Sequence, residues 1–285
     1  MNPRTNNQTW SVGNGTAAAE PTRPQDPSLF DLHCHIVPGV DDGAESLEEA
    51  LAMARFYVAD GVTCVVATPH CHRYVHLLRR DVVPAVVRFN EELRAAAVPL
   101  TVMPGSEIQV VDTTEYRREF ERGDFCHLGD GREFTLLEFN WQRALFPGDA
   151  EELIRWIRSQ GMTPILAHPE RHDFFWEDLS RLDGLVEAGA WLQVTVDSLI
   201  GNHGPAPSQA GRDLLRRHRE IVLASDADNL KRCSGMAAGY QWVREHEGDN
   251  RADDLLRRGE SVRTRLERTA TDEASSLDTI AQHLQ

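Results

Sequence analysis

Lysine is almost absent from this chain: Lys231 stands alone among 30 basic residues, and all the others are arginine. Acidic residues outnumber basic ones 45 to 30, for a formal net charge of −15. That balance provides no basic field for nucleic acid or an anionic membrane. It also opposes a phosphorylated ligand unless bound cations reverse the local field. No apolar run approaches the roughly 18–20 residues of a membrane-spanning helix, so no membrane insertion is expected. The N-terminus lacks the basic stretch and apolar run of a secretory signal, and a cytoplasmic location is the default. Cysteine is scarce and odd in number: Cys34, Cys64, Cys71, Cys126 and Cys233, with no C-x-x-C pair. This argues against a disulfide framework and against a ribbon-type zinc site.

What is present suits a globular α/β protein. A chain of 285 residues with 41% hydrophobic and 26% charged residues can bury a full core. Residues 1–27 are rich in Asn, Thr, Gly, Ala and Pro, and read as a disordered lead-in. From Phe30 onward, short apolar runs alternate with amphipathic segments. Ser46 and Glu49 form a capping box for a helix to about Asp60, and Gly61 separates it from the buried strand Val62–Ala67. A helix is expected over Asp81–Ala96, with Pro84 tolerated in its first turn. Further strands are expected at Leu100–Met103, Phe134–Phe139, Pro164–Ala167, Trp191–Val194 and Ile221–Ala224. Further helices are expected at Asp112–Arg122, Ala150–Gln160, Ser180–Ala188 and Ala210–Arg219. About seven such units point to parallel strands with helical crossovers, most economically closed into a single-domain barrel over residues 28–245. Residues 246–285 read as an acidic, Arg-rich helical tail at the periphery.

The residues after each apolar run carry the chemistry. In Asp31-Leu-His33-Cys34-His35, strand alternation points His33 and His35 to one face, about 6–7 Å apart along the chain. Asp42 follows in an acidic turn. The second strand ends at His70, the third region supplies Glu107, and the next supplies Glu138. His168 with Arg171 follows another strand, and Asp226 with Asp228 follows the last. In a parallel barrel these positions share the C-terminal rim, where active sites sit. Asp42, Glu107, Glu138, Asp226 and Asp228 cannot all ionise side by side without neutralisation. Two or three divalent cations would supply it, and nitrogen and oxygen donors without thiolate suit Mn, Fe or Zn.

These same stretches carry a resemblance. Asp31 to Gly43, Ala67-Thr-Pro-His70, Gly105-Ser-Glu107, Leu137-Glu138-Phe, Ala167-His168-Pro-Glu-Arg171 and Ala224-Ser-Asp226-x-x-Asn229 resemble the PHP (polymerase and histidinol phosphatase) superfamily. Within it they are most similar to bacterial metal-dependent tyrosine phosphatases of the CpsB/YwqE type. The resemblance implies a distorted (β/α)7 barrel, a trinuclear centre with manganese the leading metal, and hydrolysis of phosphotyrosine on a tyrosine kinase of capsule or exopolysaccharide synthesis. It implies His33, His35, Glu107 and Asp226 around one ion. Glu107, Glu138 and His168 would hold a second, and Asp42 and His70 a third. Arg171 would clamp the phosphate, with Arg232 a second candidate. The family pattern after the last strand is Asp-x-His-Asn, and this chain has Asp228 in place of that His. Three arrangements stay open: Asp228 ligates, the third ion binds weakly, or His72 or His76 substitutes.

Cys126-His-Leu-Gly-Asp-Gly-Arg132 also fits C-x5-R, the pattern of thiol phosphatases. Asp130 and Glu133 would put negative charge beside the supposed phosphate nest, and Gly129-Asp-Gly131 reads better as a turn. Trp141 and Phe146 follow Glu138 and are candidates to stack on a phosphotyrosine ring, with rim packing as the plainer role. Two rivals remain: the same chemistry on a small phosphate such as histidinol phosphate, and a metal-bound docking module without turnover. Oligomerisation stays open.

Overall fold

The computed structural model describes residues 28–232 and 235–283, with side chains described to residue 269. The expected disordered segment 1–27 and Cys233 lie outside the described residues. In chain order the elements are β1 (Leu29–Cys34), α1 (Leu47–Ala59), β2 (Val62–Ala67), β3 (His70–Cys71), α2 (Arg79–Ala95), β4 (Thr101–Pro104), β5 (Glu107–Val110) and α3 (Thr113–Arg122). They continue with β6 (Phe134–Phe139), α4 (Ala150–Ser159), β7 (Thr163–Leu166), α5 (Asp173–Trp176), α6 (Ser180–Glu187), β8 (Trp191–Thr195), α7 (Val196–Ile200), α8 (Pro205–Arg217), β9 (Ile221–Ala224), α9 (Met236–Glu247) and α10 (Asp249–His283).

Every strand pairing is parallel, in the orders β1-β2-β4 and β3-β5-β6-β7-β8-β9. The two groups belong to one barrel, because β2 and β3 are halves of one bent stave, as are β4 and β5. Thr68-Pro69 makes the first bend: proline cannot donate to the ladder, while the Thr68 N–H still reaches the Cys34 carbonyl at 2.9 Å. Gly105-Ser106 makes the second, where a Cβ on Gly105 would stand 2.7 Å from Val66. The ring closes where β1 meets the end of β9: the His35 N–H donates to Ala227 and the Asp226 N–H to His33, both at 2.9 Å. Seven staves result, the distorted (β/α)7 barrel that the sequence suggests.

Buried Asp31 ties this seam to the surrounding helices. Its carboxylate accepts from the Ser225 hydroxyl at 2.5 Å, the Tyr57 hydroxyl at 3.0 Å and the Ser225 N–H at 3.1 Å. Two apolar clusters follow from strand alternation. The outer one packs the helices onto the sheet. The inner one fills the barrel with Phe30, Leu32, Cys64, Val66, Met103, Phe134, Leu136, Ile165, Val222 and Ala224.

Several boundaries differ from the sequence reading. α2 starts at Arg79, so Pro84 sits in its second turn rather than its first. α8 starts at Pro205, a proline in the helix's first turn, where its missing N–H has no helical partner to lose. The two-residue β3 and the separate β5 were not anticipated, because Pro69 and Gly105 read as strand ends instead of bends. The largest difference concerns the C-terminal region. α10 packs on β1, β9 and the turn at Leu128–Asp130, and its Val262 and Leu266 are fully buried in the inner cluster. Burial therefore continues past residue 246, and α10 plugs the end of the barrel opposite the strand C-termini.

That plug generates a prediction. Leu266→Ala opens a cavity under the barrel and is expected to cost about 2–5 kcal/mol of stability in urea unfolding. Arg268→Ala, whose side chain is 65% exposed, is the control and should stay within about 0.5 kcal/mol of the parent. Equal stability of the two variants would contradict the plug.

Candidate metal centre

Above the inner apolar layer the same inward positions turn polar. On β6, Phe134 and Leu136 face the core and Glu138 comes next in the alternation. On β9, Val222 and Ala224 are followed by Asp226. β1 carries Leu32 in the inner layer and His33 in the cleft, and a register irregularity between Asp31 and Cys34 accommodates the change of parity. The stave bends turn His70 and Glu107 inward as direct parallel partners. Gly43 is fixed by close approach, since a Cβ there would lie 2.1 Å from the His35 carbonyl oxygen. The glycine lets the acidic turn fold back over His35.

The donors converge. His33 Nε2 is 3.2 Å from Asp226 Oδ1 and 3.6 Å from Glu107 Oε1. His35 Nε2 is 3.5 Å from Asp226 Oδ1 and 3.7 Å from Glu107 Oε2. His168 Nε2 is 2.8 Å from Glu107 Oε1, and His70 Nδ1 is 2.9 Å from Glu107 Oε2. The far nitrogens of the His33 and His35 rings are held from behind. His33 Nδ1 meets Gln193 Oε1 at 3.0 Å, and His35 Nδ1 meets Asp41 Oδ2 at 2.7 Å. This is the outer-sphere arrangement that aims an imidazole nitrogen at a metal. His168 (φ 31°) and Asp226 (φ 51°) both adopt left-handed backbone, a strain tolerated where surrounding structure enforces it.

The centre fits cations better than it satisfies itself. His33 Nε2, His70 Nδ1 and Glu107 Oε2 are buried without a hydrogen bond of good geometry. Burial opposes protonation of His70, yet the adjacent Glu107 carboxylate outweighs it and raises its pKa to about 9. Burial, reinforced by the charge of Glu107, pushes Glu138 up to about 8. Burial also works against ionised Asp226, but the neighbouring His33 holds its carboxyl well below the usual range. Five nitrogen and oxygen clusters converge here. Those clusters are His33-His168-Asp226, His33-His35-Glu107, His35-Asp42-His70, His35-Asp226-Asp228 and His70-Glu107-Glu138.

All nine residues named from the sequence fall in these clusters. The grouping differs from the one the resemblance implies: Glu138 lies with Glu107 and His70, and His168 with His33 and Asp226. Glu107 is shared between clusters, as a bridging ligand would be. Asp228 sits among the donors beside His35 and Asp226, and is ion-paired to Arg232. His72 and His76 join none of the clusters found among the described residues. The His72 Nδ1 accepts the Tyr74 and Val75 N–H groups at 3.1 Å each, and His76 faces Glu119 at 4.0 Å.

Arg171 points into the same cleft of about 230 Å³, paired with Asp226 instead of Glu170 or Asp173. Trp141 lines that cleft, stacked on His172 at 4.4 Å and 6° and lying 5.2 Å from the Arg171 guanidinium. Phe146 packs against Phe139, Phe174 and Phe175, so it serves the rim alone. Cys126 is buried, and burial together with Asp130 drives its thiol pKa up, which leaves no nucleophilic thiolate.

The sequence reading passed over three groups. Asp41 orients His35 and also accepts the His70 and Gly43 N–H groups at 3.1 Å each. Gln193 holds His33 and the His168 N–H, the latter at 3.0 Å. The alternation Trp191, Gln193, Thr195 on β8 is the signal that places it inside. Buried Glu170 accepts from the Thr195 N–H and the Ser198 hydroxyl at 2.8 Å each, and so anchors the turn that carries Arg171.

Known proteins resemble this chain in sequence and in fold. Tyrosine-protein phosphatase YwqE of Bacillus subtilis (strain 168) is 34% identical over 208 residues, spanning 71% of this chain and 78% of the relative. Tyrosine-protein phosphatase CpsB of Streptococcus pneumoniae is 27% identical over 238 residues, spanning 80% and 95%. A solved structure from work on YwqE and CpsB, described as unique metal-dependent tyrosine phosphatases, superposes with a TM-score of 0.76 at 31% identity. It covers 81% of this chain and 93% of that one. The profile of a family described as capsular polysaccharide synthesis, CpsB/CapC, matches residues 29–262, and this chain belongs to that family.

Proposed function

We propose that this chain is a metal-dependent protein-tyrosine phosphatase acting on a tyrosine kinase of capsule or exopolysaccharide synthesis. The observation that carries the reading is the convergence of nine nitrogen and oxygen donors with Arg171 at one barrel mouth. Its support is the likeness to relatives named as tyrosine-protein phosphatases and the capsular description of the family. Two or three divalent cations, manganese first among them, are the proposed cofactor. His33, His35, Glu107 and Asp226 would hold one, and Glu107, Glu138 and His168 a second. Asp42 and His70 would hold the third, with Asp228 near His35 and Asp226 standing where the family has an imidazole. When bound, these cations supply Lewis-acid charge for the phosphoryl oxygens and a nucleophile competent at neutral pH.

The chain's own groups do the rest. Arg171 exchanges its Asp226 partner for the non-bridging phosphoryl oxygens, where the guanidinium fork gives two parallel hydrogen bonds. Trp141 supports that guanidinium from its stack on His172. Asp41 and Gln193 fix the imidazoles of His35 and His33, so little reorganisation accompanies binding. Tyrosinate, with a pKa of about 10, leaves with little help from an acid. No acid is therefore assigned.

Three outcomes are expected. Chelation with EDTA should abolish p-nitrophenyl phosphate turnover and added Mn should restore it, while Glu107→Gln should lower bound metal by elemental analysis. Retained turnover in the fully metal-stripped protein would refute the reading. Arg171→Ala should lower kcat/KM by about 10²-fold, the scale of losing a charge-stabilising donor, and Arg171→Lys should recover part of it. Cys126→Ser should leave turnover intact, and alkylation at pH 7–8 should spare Cys126, because its raised pKa keeps the thiol protonated there. Loss of activity in Cys126→Ser with the metal content unchanged would revive the thiol mechanism.

A further inference from the structure

A second groove, of about 320 Å³, opens beside the metal cleft between the turn after β3 and helix α3. Gln109 lines it and also donates to Glu138 Oε2 at 2.9 Å, so one side chain separates groove from centre. His72 lines it too, with its ring 5.1 Å from that of His70. The floor is apolar, formed by Tyr116 and Phe125, and Val111 stands exposed at the edge. The buried Tyr116 hydroxyl finds no hydrogen bond of good geometry among the described residues.

The charge of the groove is negative once internal pairings are counted. Asp112 is occupied in capping α3, accepting the Thr114 and Glu115 N–H groups. Arg73, the cation in the lining, is turned onto the Tyr74 ring with its guanidinium 4.5 Å from the centroid. Glu115 and Glu119 stand one helical turn apart on the same face of α3. Glu115 meets Arg118 at 3.2 Å with both side chains more than half exposed, a pairing that solvent screens. Glu119 is only 16% exposed, and among the described residues its nearest ionic partner is His76, at 4.0 Å. A carboxylate in a half-closed, apolar-floored groove is complementary to a long cationic side chain, whose methylenes cover the floor while its head reaches the acid.

We propose that this groove receives the polypeptide flanking the phosphotyrosine, and that Glu119 with Glu115 selects a lysine or arginine there. The proposal rests on the phosphatase reading and adds the substrate class: a basic residue near the phosphorylated tyrosine. The exposed hydrophobic residues Tyr74, Val111, Trp141 and Leu230 each follow the C-terminal end of a strand. They extend the contact surface around the mouth, as docking a polypeptide requires and a small phosphate does not.

The test uses the manganese-loaded full chain with p-nitrophenyl phosphate and two sets of phosphotyrosyl peptides. In one set a lysine, and in the other a glutamate, is moved through the flanking positions. The parent should prefer the best lysine peptide over its glutamate counterpart by about fivefold in kcat/KM, the worth of one partly exposed ion pair. Glu115→Gln with Glu119→Gln should erase that preference and leave p-nitrophenyl phosphate turnover unchanged. Glu119→Lys should reverse the preference. A parent that turns over p-nitrophenyl phosphate with no charge preference overturns the groove assignment alone, as does a preference that survives both variants. A dimer that Glu119→Lys dissociates without altering peptide preference would give the groove to a second copy and overturn it too. Failure of the parent on every phosphorylated compound removes the phosphatase reading itself.

Discussion

The constraint on which the rest depends is the burial of Glu107 and Asp226 among four imidazoles, with Glu107 Oε2 left without a hydrogen bond of good geometry. Ionised carboxylates in a dry cleft are costly unless positive charge stands beside them. Protonation answers this incompletely: the raised pKa of His70 and of Glu138 favours protons on both, yet Glu107 Oε2 is left without a hydrogen bond of good geometry. Divalent cations held there would do it in full, because each carries two charges and accepts several donors at once, and metal binding would then add to the stability of the fold.

The barrel supplies what such a centre requires. Its lower end is sealed by Val262 and Leu266 of α10, and its middle is packed with apolar residues from alternate strand positions. The polar donors form the next layer up, and rigid packing beneath holds them in place. Several backbone irregularities fall at this level: the register irregularity of β1 between Asp31 and Cys34, the bends at Thr68-Pro69 and Gly105-Ser106, and the left-handed His168 and Asp226. Each adjusts the direction of one donor without disturbing the apolar layer below. The seam hydrogen bonds between β1 and the end of β9 stabilise the strained Asp226 directly, since its N–H donates to the His33 carbonyl.

The donors were legible in the sequence because each follows a short apolar run, where His, Asp and Glu stand out against the preceding residues. The seven-stave barrel was legible for the same reason. The groups that orient the donors were not, since Asp41 looks like any residue of an acidic turn and Gln193 like an interruption of a strand. Pro69 and Gly105 mark a strand end and a strand bend with the same residue types, so β3 and β5 stayed hidden. Charge concealed the role of α10: the four-residue spacing of Val262 and Leu266 is surrounded by Arg and Glu, and two buried positions carry little periodic signal. Pairing partners are the least legible feature. Arg171 has acidic neighbours at Glu170 and Asp173, yet it meets Asp226, which lies 55 residues on.

Asp41 and Asp42 show how adjacent identical residues divide two tasks. The side chain of Asp41 is fully buried, and it spends its oxygens on His35, His70 and Gly43. That of Asp42 is 73% exposed and faces His70 Nε2 at 3.4 Å. The turn forced by Gly43 makes the division, since it folds one carboxylate under the loop and leaves the other at the mouth. A burial gradient follows across the centre, from His33 and Glu107 inside to His70 and Asp42 at the entrance. Inner donors are fixed by side chains behind them and demand a complete protein shell. Outer donors face solvent, so a cation held there would keep part of its shell open to water or to a phosphoryl oxygen. The same gradient that makes the inner half costly to leave empty leaves the outer half open to substrate.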